Sequence, residues 1–352
     1  MRGRGDRLEK LLAERELDRM LVTDLTSVRY LTGFTGSNGA CVCGPGIRRF
    51  FTDFRYTERA ASEVSGWEAI TLSNDWLGGI AKHLAGKVGF EDDKMPVRSL
   101  EKLKEKLAEG IELVAAGGTV ERLRRVKDEE ELRAIAAASE LADEVWGWSL
   151  EQGLAGRRER DVARAAEARI RELGADPSFP AIVAAGPNGA LPHAEPGERE
   201  IGRGELVVFD MGAKLDGYCS DGTRTYSTGD PGENARAVYE VVREAQQAAL
   251  DAIAPGANGE AIDTVARKVI EDAGHGERFG HALGHGVGLE VHEGPRLSQR
   301  SDDVLAPGEV VTVEPGVYVP GEFGVRIEDL VVVTEDGHRN LSGLPKDLQL
   351  VN

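Results

Sequence analysis

The chain has 352 residues, with 61 acidic against 43 basic side chains and a formal net charge of −18. At this length single cores tend to split, so two domains are expected, and an acid excess with scattered Lys and Arg disfavours nucleic acid as a partner. No apolar run approaches the roughly 18 residues of a membrane span, so a soluble protein with no membrane partner is expected.

The amino terminus, Met1 to Arg7, is charged and runs straight into an amphipathic stretch, without the apolar core or small-residue cleavage site of a secretory signal. Arg7 to Glu16 reads as a helix, Arg19 to Thr23 as a strand, and Tyr56 to Val64 as a second helix. Ala40 to Cys43 and Arg48 to Thr52 read as a strand pair across the Gly44-Pro45-Gly46 turn. This is an α/β pattern, assigned to a domain over 1–120. The three cysteines, Cys41, Cys43 and Cys219, form no Cys-x-x-Cys pair. A reduced, cytoplasmic setting is the expectation.

After Gly117-Gly118, a helix is expected from Asp128, where Asp128 and Glu131 form a capping box ahead of an apolar face of Leu132, Ile135, Ala136 and Leu141. Further helices are expected near 159–173, 232–254 and 259–273, each followed by a terminator such as Gly174, Pro255-Gly256 or Gly274. Between them lie β-branched stretches at Glu205 to Asp210, Val310 to Glu314 and Val325 to Thr334. Grouped strands and grouped helices without strict alternation point to an α+β domain, an antiparallel sheet backed by helices, over 121–352.

Three stretches of this second domain carry chemistry. In ELVVFDMGAKLDGYCSDGTRTY, Glu205 to Tyr226, a hairpin closed at Asp216-Gly217 is expected to bring Asp210 and Asp221 within about a residue of directly opposite. Two carboxylates so close raise each other's pKa unless a cation lies between them; two solvated turn aspartates are the plain alternative. In VVTVEPGVYVPGEFGVRIEDLVVVT, Val310 to Thr334, Glu314 ends one apolar run and Glu328 interrupts another. An unpaired acid in a buried strand is costly, and a bound cation removes the cost. An Arg326–Glu328 pair on one strand face is the structural alternative. In GHALGHGVGLEVHEGP, His281, His285 and His292 stand among glycines that permit close backbone approach. One imidazole among four carboxylates suits Mn²⁺, Co²⁺, Zn²⁺ or Fe²⁺, and four carboxylates balance two dications.

In the order Asp210, Asp221, His285, Glu314, Glu328, the set resembles the pita-bread metallopeptidase family, which includes methionine aminopeptidase, aminopeptidase P and prolidase. YLTGFTGSNG (Tyr30 to Gly39) and FTDFRYTERA (Phe51 to Ala60) resemble the extra creatinase-like amino-terminal domain of its proline-specific branch. The resemblance implies two divalent ions, Mn²⁺ before Co²⁺, Zn²⁺ or Fe²⁺, bridged by Asp221 and Glu328. Asp210 would complete one ion, and His285 with Glu314 the other. A bridging hydroxide would then attack the peptide carbonyl, with Glu314 accepting the water's proton.

The Pro192-His193 stretch is similar to the family's Pro-His-x-x-Pro motif and makes His193 a catalytic candidate, with His292 as a hydrogen-bond donor and Arg326 as the family's active-site arginine. His281, Phe179 and Tyr318 are candidates for contact with the proline ring. Arg296, with Arg300 beside it, is the candidate for a free carboxylate. The short chain favours a Xaa-Pro dipeptidase over an aminopeptidase for longer peptides. Methionine aminopeptidase and a non-catalytic binding homologue are the more distant readings. The resemblance also implies a homodimer.

Overall fold

A computed structural model describes residues 3–352. Met1 and Arg2 of the charged leading stretch lie outside the described residues. The chain divides into two compact units, Met1–Arg124 and Arg125–Asn352. No described helix is long and apolar enough to cross a membrane.

The first unit is α/β. Its mixed sheet has six strands, Arg19–Val22, Ala40–Gly44, Ile47–Asp53, Glu68–Leu72, Lys87–Phe90 and Glu112–Ala115. The first of these pairs antiparallel with the second and parallel with Lys87–Phe90. The expected hairpin closes across Pro45-Gly46, with Gly44 opposite Ile47 and Gly46 at φ 70°. Leu21, Val42, Phe51, Val88 and Leu103 fill its core. The first helix, Arg4–Glu14, begins three residues earlier than its periodicity indicates, and buries Leu8 and Leu12.

The second unit packs helices on antiparallel sheets. Its first helix, Glu129–Glu151, starts at the expected capping box, with Asp128 accepting from the Glu131 N–H and Glu131 accepting from the Asp128 N–H. Glu233–Asp251 buries Val238, Val242, Ala245 and Ala249 along one face, and Gly259–Asp272 buries Ile262, Ala266 and Ile270. These faces cover Val311, Val313, Val325 and Val331 of the sheets, so the helices draw their stability from packing.

The strands form two three-stranded groups, one of Ile182–Ala185, Leu206–Asp210 and Thr223–Ser227 and one of Asp176–Pro177, Ala213–Leu215 and Tyr218–Cys219, a two-stranded hairpin, and a five-stranded group. The last runs Glu293–Leu297, Gly284–Gly286, Val310–Val313, Asp329–Val333 and His338–Asn340. The stretch expected as one strand from Val325 to Thr334 is divided. Phe323–Arg326 pairs with Gly316–Val319 in its own hairpin, Ile327 and Glu328 turn the chain, and Asp329–Val333 joins the larger group. That break places Glu328 between two sheets instead of within one.

Candidate metal centre and active site

Three of the four acidic candidates sit where a strand stops, and Asp221 lies in the gap between Tyr218–Cys219 and Thr223–Ser227. Asp210 ends Leu206–Asp210, Glu314 follows Val310–Val313, and Glu328 occupies the break between Arg326 and Asp329. The Asp216-Gly217 turn forms as expected, both residues having positive φ. The register differs from the expectation: Asp210 stands opposite Thr223, so Asp221 lies two residues from direct opposition. Asp210 and Asp221 therefore share a sheet face as diagonal neighbours. Thr223 takes the opposed place and donates its hydroxyl to Glu328 Oε2 at 2.7 Å.

His285 projects from Gly284–Gly286. A Cβ on Gly284 would collide with the Thr312 carbonyl and one on Gly286 with the Gly294 carbonyl, so both neighbouring strands close in only because these positions lack side chains. His285 Nδ1 lies 3.0 Å from the Gly286 carbonyl, which can only accept. The proton is therefore on Nδ1, and Nε2 turns its lone pair toward Glu314 Oε1 at 3.4 Å and Asp221 Oδ2 at 3.6 Å. Ligand atoms of Asp221, His285 and Glu328 lie within 4.8 Å of one another.

All five converge on one cavity of about 270 Å³, lined also by Phe179, Ile182, Pro192, His193, His281, His292 and Arg326. Arg326 is buried and donates to Asp210 Oδ2 at 2.6 Å, to the Thr223 hydroxyl and to the Tyr318 hydroxyl. The alternative pairing of Arg326 with Glu328 is not formed, because the chain break carries the glutamate away from the arginine's strand. With Arg326 on one oxygen, Asp210 Oδ1 is left buried without a hydrogen-bond partner, as is Glu328 Oε1. Such oxygens are costly unless something positive meets them.

The electrostatics agree. Burial, followed by Glu328, Asp210 and Glu314, pushes the Asp221 carboxyl well above its ordinary range. Burial, then Glu314 and Asp210, does the same to Glu328. Burial raises Glu314 to about 8 and holds His285 down at about 4. Acids that resist ionisation together, beside an unprotonated imidazole, match the donor set for divalent cations, which supply the missing positive charge. The residues therefore fit a metal centre.

His193 and His292 are both exposed at the cavity wall, and the His292 ring meets that of His285 edge-on at 4.4 Å between centroids. His281 has both ring nitrogens engaged, Nδ1 with the Ala282 carbonyl and Nε2 with the Tyr318 hydroxyl at 2.9 Å. Tyr318 does not line the cavity; it stands behind the wall, joining His281 to Arg326. Arg296 also lies outside the lining, on an exposed position of Glu293–Leu297, where its N–H is held by Asp303.

The sequence reading passed over Ile182, Thr223 and Thr312. Thr312 accepts from the His285 N–H and donates to Glu314 Oε1. Both threonines stand two residues from an acidic candidate, which places them on the same side of an extended chain, a signal readable from parity alone.

Residues 133–335 match the family described as Metallopeptidase family M24, and residues 4–126 match the Creatinase/Prolidase N-terminal domain. The chain belongs to metallopeptidase family M24, with a creatinase-like α/β unit ahead of an α+β pita-bread unit. Among curated proteins it is 40% identical to the uncharacterized peptidase YqhT of Bacillus subtilis, over 97% of this chain and 98% of that one. It is 36% identical to a Xaa-Pro dipeptidase of Pyrococcus furiosus, over 99% and 100%. Among solved structures, a Xaa-Pro dipeptidase from Bacillus anthracis superposes with a TM-score of 0.96 at 38% identity, over 99% of both chains. An X-Pro aminopeptidase from Thermotoga maritima gives 0.90 at 35%, over 96% of this chain and 99% of that one. By sequence and by fold this is a prolidase-type M24 peptidase.

Proposed function

We propose that this protein is a dinuclear-metal Xaa-Pro dipeptidase, acting on small peptides with proline at the second position. The observation that carries the reading is the convergence of four carboxylates and one correctly tautomerised imidazole on a single cavity, with two buried carboxylate oxygens unpartnered. Asp221 and Glu328 are proposed as the residues shared by two ions, with Asp210 completing one and His285 with Glu314 the other. Mn²⁺ is the ion proposed, in preference to Co²⁺, Zn²⁺ or Fe²⁺. When bound, the ions supply Lewis acidity and make a water at the site acidic near neutral pH.

The chain's own residues divide the remaining work. Glu314, tethered by the Thr312 hydroxyl, accepts the proton of the attacking water. His292 and His193, exposed at the wall, donate hydrogen bonds to the substrate carbonyl as negative charge develops there. Arg326 fixes Asp210 through one oxygen and leaves the other directed at the cavity. Phe179, Ile182 and the nitrogen-satisfied ring of His281 offer an apolar wall for a pyrrolidine ring, which has no donor once it lies within a peptide.

A cytoplasmic homodimer is the proposed state, resting on the family resemblance and, for the compartment, on the three buried free thiols. One observation favours a second reading. Arg296, the expected anchor for a free carboxylate, is outside the cavity lining, which suits a Xaa-Pro aminopeptidase that accepts longer peptides. Hydrolysis of a Xaa-Pro dipeptide, its carboxamide and a Xaa-Pro tripeptide, after reconstitution with each metal in turn, decides between them. The dipeptidase reading predicts that the free dipeptide is cleaved fastest; equal or faster cleavage of the tripeptide overturns it.

A further inference from the structure

Next to the acidic cluster, and outside the cavity lining, lies a second polar assembly. Its centre is Arg224, 2% exposed, which donates to five acceptors. These are the Thr223 carbonyl at 2.9 Å, the Glu328 carbonyl, Asp329 Oδ1 at 2.6 Å, and the carbonyls of Leu344 at 2.8 Å and Pro345 at 3.0 Å. All five guanidinium N–H groups are thereby used, as a planar fork allows and an ammonium does not.

The two carbonyls nearest the site belong to segments that carry proposed ligands. Thr223 follows Asp221 by two residues and bonds Glu328 twice, through its hydroxyl to Oε2 and through its carbonyl to the Glu328 N–H at 3.0 Å. Glu328 sits at a chain break with no strand ladder of its own to fix it. Arg224 supplies that fixing, and Asp329 anchors the guanidinium in turn. Asp329 is fully buried, also accepts from Gln246 at 3.0 Å and Asn340 at 2.8 Å, and forms an ion pair with Lys346 at 3.1 Å. Lys346 and the Leu344 and Pro345 carbonyls come from the carboxy-terminal segment, which continues along Ser227 through the Ser227 N–H to Gln349 and the Val351 N–H to Ser227.

We propose that Arg224 and Asp329, held by the carboxy-terminal segment at 344–346, are positioning residues that set the separation of Asp221 and Glu328 and thereby the affinity for the shared ions. The inference rests on the metal-centre reading above. A residue that merely stabilised the fold would alter melting without altering ion binding in the folded protein. A positioning residue alters the binding itself.

The test is titration of the full-length, chelator-stripped protein with Co²⁺, followed by its visible absorption and by competition with a chromophoric chelator. The wild type and Arg224→Lys are compared at a temperature where circular dichroism shows both folded. The expected result is a folded R224K with a changed Co²⁺ spectrum and a Kd weakened by about 10- to 100-fold, the range typical of partners that orient metal ligands. Activity measured at limiting metal falls in parallel and recovers at high metal. A folded R224K with the wild-type spectrum and Kd overturns the proposal while leaving the metal centre standing. Wild-type protein that takes up no Co²⁺ overturns both. Should R224K fail to fold, Lys346→Met, at the half-exposed rim of the assembly, decides: a weakened Kd supports the proposal and an unchanged one refutes it.

Discussion

Stripping the ions from this protein should make its stability fall as pH rises, and Glu314 is one measurable source of the effect. Its carboxyl is moved by burial from an ordinary 4.5 to about 8 when no cation is present. Below pH 4.5 the group is protonated whether the chain is folded or not, and nothing is lost. Between 4.5 and 8 the folded state retains a proton that the unfolded state has released, so stability declines with rising pH, and above 8 the full penalty applies. At about 1.4 kcal/mol per pH unit Glu314 alone contributes at most roughly 5 kcal/mol, and Asp221 and Glu328 add to it in the same direction. Bound dications reverse the penalty, because binding requires these groups to be ionised.

Glu91 of the first unit complicates a simple pH series. Burial raises it to about 7, so it also lowers stability as pH rises, with or without metal. The informative quantity is therefore the difference between Mn²⁺-loaded and chelator-stripped protein, in which Glu91 cancels. Urea or thermal unfolding of the second unit at pH 5.5 and 8.5 should show that difference growing by at least about 2 kcal/mol. Glu314→Gln should shrink the growth. A difference that stays constant across this range, or narrows toward alkaline pH, would refute the argument that the acids are held unionised until metal enters.

Replacing Glu91 with Gln should stabilise the first unit at pH 8 by roughly 1–3 kcal/mol, since the amide oxygen still accepts from the Thr23 and Asp24 N–H groups; at pH 4 the gain should vanish. Arg326→Lys keeps the charge but not the fork that reaches Asp210, Thr223 and Tyr318 together, and kcat/KM should fall at least about tenfold, read in steady-state assays on a Xaa-Pro dipeptide. Glu159 is buried and accepts from the Ala185 N–H, the Asn188 amide and the Gly197 N–H, so it ties both ends of the loop that carries His193. Glu159→Ala should speed protease cleavage between 186 and 197 and lower kcat/KM while metal content stays at the wild-type value; unchanged cleavage would remove Glu159 from this role.

How much of this was legible in the sequence depended on range. The capping box at Asp128 and Glu131 was readable because both partners lie within one helical turn, and the hairpin at Asp216-Gly217 because its turn chemistry is local. The acids were readable because charge inside an apolar strand is conspicuous. What failed were two statements about what stands near an acidic residue. The two-residue turn at Asp216-Gly217 pairs Leu215 with Tyr218 and, counted back, Asp210 with Thr223, which is the ladder observed, so the expected near-opposition of Asp221 to Asp210 miscounts a register that the turn itself sets. Strand parity within Val325 to Thr334 paired Arg326 with Glu328, whereas a break at residues 327–328 releases the glutamate and leaves the arginine to Asp210.

The second error has a physical cause. A continuous strand would place Glu328 in a ladder with its side chain committed to one sheet face. The break lets Thr223 capture it through a hydroxyl and a carbonyl, and lets Arg224 pin its backbone. Local propensity in this segment is strongly β, with Val, Ile and Leu throughout, so no composition signal announces the interruption. Tertiary hydrogen bonds from residues more than a hundred positions away impose it. The departure from local preference falls at the residue proposed to be shared by both ions, where geometry matters more than strand continuity.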